Sequence, residues 1–328
     1  MKRITEIDGL RGIAAVFVML FHYTFAFNSD WSPGSFFHYG YMGVSLFFII
    51  SGFVISKSIN NGKSIINFCY GRFVRLYPIY WITIIITVTA MLITKLGVEK
   101  LTIINTVVNF TMFQRFIGFK DIDGSYWTLA VELIFYFILI ILQLLKKTKF
   151  IVEYFIFLIL LVFIIKLYYC YEFPFNNKII KILKQFSYLH LFLAGIIFNE
   201  IYNSKFNFKY GLILVFCLIC NFGVNLRFNI VNETIIVFFI MVIFLILTQK
   251  KELLFFLNNP LLQFLGKISY PLYLLNEIFG ACCFKIINNF CLLLPIKIVI
   301  VSLFVILMSS LVHFYIEIPI FKILRKIK

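Results

Sequence analysis

Apolar residues occur along this chain in long blocks separated by short polar segments. Each block runs for roughly 18 to 23 residues, which is enough for an α-helix to cross about 30 Å of hydrocarbon. The pattern therefore predicts an all-α fold, a polytopic transmembrane helix bundle of about ten spans. We place the spans at residues 10–28, 40–58, 76–96, 126–145, 150–170, 186–203, 210–226, 231–248, 268–290 and 296–318.

Two further segments, 101–120 and 253–265, are apolar but interrupted by polar residues. Each is too broken to predict a span, so we expect interfacial or re-entrant structure there. The chain shows no internal repeat, no low-complexity linker and no appended soluble domain. We therefore predict a single transmembrane domain over residues 1–328, with any functional site inside the bundle or at its rims.

Composition excludes a soluble protein. Hydrophobic residues make up 62% of the 328 residues, charged residues make up 13%, and the mean hydropathy is +1.00. A soluble domain has about 45–50% apolar residues and about 25% charged residues. Most of the cysteines lie within or beside apolar blocks, and the C-x-x-C pair Cys217 and Cys220 has no second ligand pair nearby. We therefore predict no metal site.

The formal net charge of +16 raises the question of nucleic-acid binding. The basic residues lie between apolar blocks and form no continuous stripe with stacking aromatic residues, so we predict the lipid bilayer, and no nucleic acid, as partner. With the N-terminus inside, more than half of the 30 Lys and Arg residues fall on the inner side, although segment 166–184 is basic as well. This asymmetry predicts a multi-pass protein of the cell (inner) membrane with both termini cytoplasmic.

A titratable group inside a span is costly unless it is paired or faces a wet cavity, so each one is a candidate functional residue. The first span offers Arg11 and His22. At about 100° per residue, the two lie within about 20° of the same helix face and roughly 16 Å apart along the axis. This arrangement suits a long ligand that enters at the inner rim and presents its reactive end near the middle of the bilayer.

More charged residues extend this arrangement. Arg72 and Arg75 neighbour each other just before the third span, and arginine holds phosphate through planar bidentate hydrogen bonds, so the pair suits a diphosphate. Glu132 lies about 9 Å inside the outer end of the fourth span. Glu317 closes the tenth span at the inner face, four residues after His313.

Each of these residues also has a purely structural interpretation. The arginine pair could be positive-inside anchors, His22 a hydrogen-bonded packing histidine, and Glu132 a buried partner for a cation. Taken singly the signals are weak, whereas their order along the chain is distinctive.

That order resembles the acyltransferase-three family of bacterial and animal membrane acyltransferases. The resemblance extends over nearly the whole chain, and its motifs occur in the family's order. In one position the chain departs from the family, because many members have histidine where this chain has Asn276, and asparagine cannot take up a proton near neutral pH. The motifs are Asp8-Gly9-Leu10-Arg11-Gly12 continuing to Phe21-His22, residues 43–53, Arg72-Phe73-Val74-Arg75-Leu76-Tyr77-Pro78, Trp127-Thr128-Leu129 with Glu132, residues 266–274, and Glu317-Ile318-Pro319.

The resemblance implies an O-acyltransferase, most simply an O-acetyltransferase. It would move an acyl group from acyl-CoA, such as acetyl-CoA, to a sugar hydroxyl of a cell-surface or exported glycan, with no metal. Together with the placement above, it implies that Arg72, Arg75 and Arg11 bind the phosphates of the donor at the cytoplasmic face. His22 would be the general base, since a neutral imidazole suits that task near neutral pH. Glu132 would orient His22 or the acceptor.

Two other hypotheses stay open at this point. A transporter or flippase for a glycan or lipid-linked sugar predicts inverted repeats in two halves of the chain, and the sequence shows no such symmetry. An unrelated membrane acyltransferase fold would not be expected to carry its histidine in the first span after Asp-Gly-Leu-Arg. The acceptor itself is open among surface polysaccharide, lipopolysaccharide sugar, a glycan-linked lipid and a small secreted metabolite.

Overall fold

A computed structural model describes residues 4–26, 36–59, 64–172, 185–224 and 230–326. In this part of the chain every regular element is a helix, which confirms the all-α prediction. Helices are the expected outcome for apolar blocks, because a helix satisfies its backbone N–H and C=O groups internally without water.

The α-helices follow the apolar blocks closely. Two π-helical segments interrupt the regular pattern: His22–Ala26 extends the first helix, and Val312–Glu317 joins the last two. The α-helices are α1 (Thr5–Phe21), α2 (Gly43–Ile59), α3 (Ile65–Thr94), α4 (Ile103–Asn109), α5 (Trp127–Leu144), α6 (Ile151–Glu172), α7 (Leu189–Asn203), α8 (Phe208–Val224), α9 (Ile230–Gln249), α10 (Pro260–Lys267), α11 (Ser269–Leu275), α12 (Ile278–Ile287), α13 (Leu294–Leu311) and α14 (Ile318–Lys326).

Within the described ranges, seven helical segments are long and apolar enough to cross a membrane. An eighth candidate is the pair α11 and α12, which is bent by 61° at a short break. These segments coincide with eight of the predicted spans, so the multi-pass helical architecture is confirmed. The seven are Thr5–Thr24, Phe37–Ser58, Ile65–Thr94, Gly124–Leu144, Thr148–Ile165, Val231–Gln249 and Leu294–Leu324.

The other two predicted spans are helical but short. Span 186–203 corresponds to α7, which has 15 residues, and span 210–226 corresponds to α8, which has 17. A 15-residue helix is roughly 22 Å long, less than the hydrocarbon thickness of about 30 Å. The count of ten spans and the cytoplasmic position of both termini therefore stay predictions.

The outward-facing side chains of these helices are apolar. In α6, Phe157 and Ile164 are more than half exposed, and in α13 the same holds for Leu303 and Leu307. Large contiguous apolar surfaces are rare on soluble proteins and are what a helix presents to lipid. This surface agrees with the membrane location predicted from composition.

Backbone contacts divide the chain into two compact units, each assembled from separate stretches of sequence. Unit 1 contains Met1–Gly43, Cys69–Thr128 and Leu257–Lys328. Unit 2 contains Val44–Phe68 and Leu129–Phe256. The single domain predicted for residues 1–328 stays a prediction, and each unit is described by itself below.

Unit 1 is built on close packing of α1 against α10. A Cβ added to Gly266 would overlap the carbonyl oxygen of Asp8, and one added to Gly12 would lie 2.8 Å from the Gly266 nitrogen. Small residues permit this approach, which is a common way for helices to associate in membranes without help from water. The packing fixes the course of α1 and therefore the position of its far end.

The interrupted segment 101–120 also belongs to unit 1, and it lies along α3. Two side chains of α3 donate hydrogen bonds to its carbonyl groups: Tyr80 to Asn109 at 2.8 Å and Trp81 to Phe110 at 2.8 Å. The Asn109 side chain in turn donates to the Lys120 carbonyl and accepts from the Ile122 amide. This non-span segment is thus ordered up to the start of α5.

Unit 2 has an aromatic core. Phe135 of α5 stacks on Phe192 of α7 with ring centroids 4.3 Å apart, and Phe198 of α7 stacks on Phe244 of α9 at 5.2 Å. All four side chains are buried. Offset stacking of this kind adds about 0.5–1.5 kcal/mol per pair beyond the buried area.

Candidate active site

His22 lies where α1 ends and the π-helical segment begins. A π-helical turn widens the helix by one residue and recurs at functional sites. The His22 Nε2 lies 3.8 Å from the Glu277 Oε2. The two side chains keep 15% and 22% of their surface exposed, so the pair can be reached by a ligand.

Glu277 is placed by a break in the helical backbone. α11 ends at Leu275 and α12 begins at Ile278, so Glu277 lies at the bend between them. Asn276, the other residue of the break, turns its amide back to donate to the carbonyls of Leu272 and Tyr273 at 3.2 and 2.7 Å. Of the two residues in the break, Glu277 therefore presents its carboxyl group toward His22, whereas Asn276 has no titratable group.

Asp123 holds this break in place. Its Oδ2 accepts a hydrogen bond from the Ile278 backbone N–H at 2.9 Å, which satisfies a free donor at the start of α12. Its Oδ1 accepts from the Ser125 backbone N–H at 2.9 Å and from the Ser125 hydroxyl at 2.6 Å. One buried carboxylate thus joins the entry to α5 with the entry to α12.

Gly124 provides the wall against which the Glu277 carboxyl lies. A Cβ added at Gly124 would overlap the Glu277 Oε1. Only a residue without a side chain leaves room for the carboxyl at this position. Asp123 therefore holds the backbone of the break, and Gly124 leaves the space that the Glu277 carboxyl occupies.

Further charges lie on the loop before α5, outside the spans. Arg115 donates to Asp121, and Gln114 donates to the same carboxylate at 2.9 Å. Burial raises the pKa of Asp121, which Arg115 opposes. Burial also raises the pKa of Asp123 to about 6, against the hydrogen bonds from Ser125 and Ile278.

The predicted donor-binding arginines lie on two helices of unit 1. Arg11 is on α1, three turns before His22, as the sequence predicted. Arg72 and Arg75 lie on α3, and here the predicted boundary was wrong, because α3 begins at Ile65 and not at residue 76. Both arginines therefore lie within the helix, three residues apart on one face, and not before it.

The part of α3 that carries these arginines packs against the C-terminal helices of the chain. Tyr70 donates to the Leu324 carbonyl at 2.5 Å, and Tyr270 donates to the Leu76 carbonyl at 3.0 Å. The Nε and Nη1 atoms of Arg72 are shielded from solvent. His313 Nδ1 lies 2.6 Å from Glu317 Oε2 in the second π-helical segment.

Glu132, the predicted second catalytic residue, belongs to unit 2. Its Oε1 accepts hydrogen bonds from Ser51 at 3.2 Å and from Tyr136 one turn along α5. Ser51 lies in the second-span motif, so two of the recognised motifs meet at this carboxylate. The role of Glu132 toward His22 stays a prediction.

Sequence analysis missed Glu277, the acid that contacts His22 in the structure. A signal was present, because a glutamate inside the predicted span 268–290 is costly there and is a candidate functional residue. The residue is more than 250 positions from His22, and nothing in the local pattern shows that the helix breaks beside it.

Comparison with known proteins identifies the family of the chain. A family model described as an acyltransferase domain matches residues 4–314 of the chain. The chain belongs to the acyltransferase-three family. The family assignment made from the six motifs is thereby confirmed, and the structure is that of a multi-pass membrane protein of this acyltransferase family.

Three curated proteins are similar to this acyltransferase-family chain. It is 27% identical to the peptidoglycan O-acetyltransferase OatA of Listeria monocytogenes over 45% of its length, and 29% identical to nodulation protein 10 of Rhizobium leguminosarum over 33%. It is 37% identical to protein 2 in the picA locus of Rhizobium radiobacter over 24% of its length. The matches span 26%, 34% and 41% of those proteins, respectively. No solved structure matches the chain significantly.

Proposed function

We propose that this chain is an O-acetyltransferase that moves an acetyl group from acetyl-CoA to a sugar hydroxyl of a cell-surface or exported glycan. The observation that carries the proposal is the partly exposed His22 imidazole at the end of the first span, paired with a carboxyl group. Membership of an acyltransferase family supports the group-transfer chemistry, and the similarity to a peptidoglycan O-acetyltransferase supports a glycan acceptor.

The proposed reaction is a direct transfer of the acetyl group from sulfur to oxygen. The acceptor oxygen attacks the thioester carbonyl, so a C–O bond forms and the C–S bond breaks. His22 takes the proton of the hydroxyl as it attacks and then gives it to the departing sulfur, which leaves as free coenzyme A. Imidazole suits both steps because its ordinary pKa lies near physiological pH.

The donor would bind near the first turns of α1 and α3, away from His22. Arg72, Arg75 and Arg11 would hold its phosphates through charge-assisted hydrogen bonds, with Glu132 orienting His22 or the acceptor. Three helical turns separate Arg11 from His22, roughly 16 Å, which an extended pantetheine arm would have to bridge. We place the protein in the cell (inner) membrane with the donor entering from the cytoplasm and the acceptor arriving from outside.

The direct test is the His22→Ala variant. Membrane vesicles from the producing cell are supplied with acetyl-CoA labelled in the acetyl group, and base-labile ester label is counted. Because general-base catalysis contributes roughly 100- to 10,000-fold, the variant should lose at least about 100-fold in rate at an equal amount of membrane protein. The matched variant His38→Ala should keep the wild-type rate. Normal transfer by His22→Ala would refute the proposed function.

A further inference from the structure

Glu277 is the carboxyl group that the structure places beside the reacting imidazole. We propose that Glu277 is the positioning residue of His22: it fixes the orientation of the ring and compensates the positive charge that forms when His22 takes a proton. This inference rests on the proposed function, because it assigns a partner to the base of that reaction.

The Glu277 carboxyl approaches one particular atom of the His22 ring. Glu277 approaches Nε2 of His22, whereas Nδ1 of the same ring is shielded from solvent. The Nε2 edge is therefore where the carboxyl can fix the orientation of the ring and face the positive charge that forms on protonation. The separation of 3.8 Å exceeds a hydrogen bond, and such contacts commonly tighten only when substrate is bound.

The position of the Glu277 side chain is restricted from two sides. Its backbone is held by Asp123, which accepts from Ile278, the next residue. Its carboxyl lies against Gly124, where any side chain would take its place. A group held from both sides in this way is preorganised and costs little entropy to use during the reaction.

Asn276, the other residue of the break, offers His22 no carboxyl group. Asn276 directs its amide to carbonyls of the preceding turn. The other charged groups that act on the Glu277 carboxyl are Lys100, which precedes α4, and three residues of the loop before α5: Arg115, Asp121 and Asp123. Asp123 accepts hydrogen bonds from Ser125 and Ile278, and Asp121 accepts them from Arg115 and Gln114.

The test compares Glu277→Gln, which keeps the shape of the side chain, with Glu277→Asp and with Glu153→Gln, an exposed glutamate of α6, as the control. Rates of ester formation from labelled acetyl-CoA are measured in vesicles from the producing cell between pH 5 and 9. We expect Glu277→Gln to lower the maximal rate about tenfold or more, with the KM for acetyl-CoA changed less than twofold. We also expect its acid limb to move to lower pH, because the imidazolium loses its partner. Glu277→Asp should recover part of the rate, and Glu153→Gln should match wild type.

A second variant tests the same contact without changing any titratable group. Gly124→Ala displaces the Glu277 carboxyl by steric overlap, and should reduce the maximal rate at an unchanged protein level. If Glu277→Gln and Gly124→Ala keep the wild-type rate and pH profile while His22→Ala is inactive, the inference about Glu277 is wrong and the proposed function stands. If His22→Ala is active as well, the proposed function itself is wrong.

Discussion

His22 combines two properties that a packing histidine does not need. It lies at the change from α-helical to π-helical backbone, and its imidazole is partly exposed beside a carboxyl group. Arg11 lies on the same helix, so the relation of these two residues could be derived from their spacing alone. The relation of His22 to Glu277 could not, because it depends on where a distant helix breaks.

At the residue scale, the predicted donor site can be tested with Arg72→Lys. Lysine keeps the charge but loses the planar fork that holds phosphate with two hydrogen bonds. A lost charge-assisted hydrogen bond is worth about 1.5–3 kcal/mol, so the KM for acetyl-CoA should rise at least about tenfold with a smaller change in kcat. Lys146→Gln, after the end of α5, is the control and should leave KM unchanged. An unchanged KM in Arg72→Lys would remove this arginine from the donor site.

At the scale of elements, the site depends on how one loop is anchored. Rings of α3 hold the segment before α5, and that segment delivers Asp123 to the first amide of α12. The sequence showed only that segment 101–120 is too interrupted to predict a span. It did not show that Asp123, just after this segment, caps a helix more than 150 residues later.

Because Asp123 caps the start of α12, Asp123→Ala should lower the stability of the protein. The substitution leaves the Ile278 and Ser125 amides without their acceptor, and loss of such a cap costs about 0.5–2 kcal/mol. Thermal unfolding in detergent should begin a few degrees lower than for wild type. Asp123→Asn keeps one acceptor oxygen and should unfold between the two. Unfolding of Asp123→Ala at the wild-type temperature would show that the cap is not needed.

At the scale of the whole molecule, the sequence predicted the helices well and their lengths less well. Apolar blocks predict helices because a helix satisfies its backbone hydrogen bonds internally in lipid. All ten predicted spans are helical in the described residues. The predicted length was wrong at α7, which is three residues shorter than its span, and at α3, where residues 65–75 continue the helix despite two arginines. Family membership was predictable because its motifs are local, whereas the pairing of His22 with Glu277 is a property of the folded chain.

The number of spans can be tested through its parity. Seven spans place the two termini on opposite sides of the membrane, whereas eight or ten place them on the same side. The positive-inside rule predicts that both are cytoplasmic. A fluorescent reporter that folds only in the cytoplasm should therefore be active when fused after Lys328, and alkaline phosphatase at the same position should be inactive. The reverse result would contradict the predicted topology.

The glycans of the producing cell give the most direct test of the proposed O-acetyltransferase activity of this chain. Ester-linked acetyl groups on surface and exported sugars are compared by mass spectrometry in a deletion strain that carries either the wild-type chain or His22→Ala, at equal membrane levels. We predict that an acetyl ester absent from the deletion strain returns with the wild-type chain and does not return with His22→Ala. Restoration of the ester by both chains would contradict the assignment of His22, and identical glycans in the parent and deletion strains would contradict the proposed acceptor.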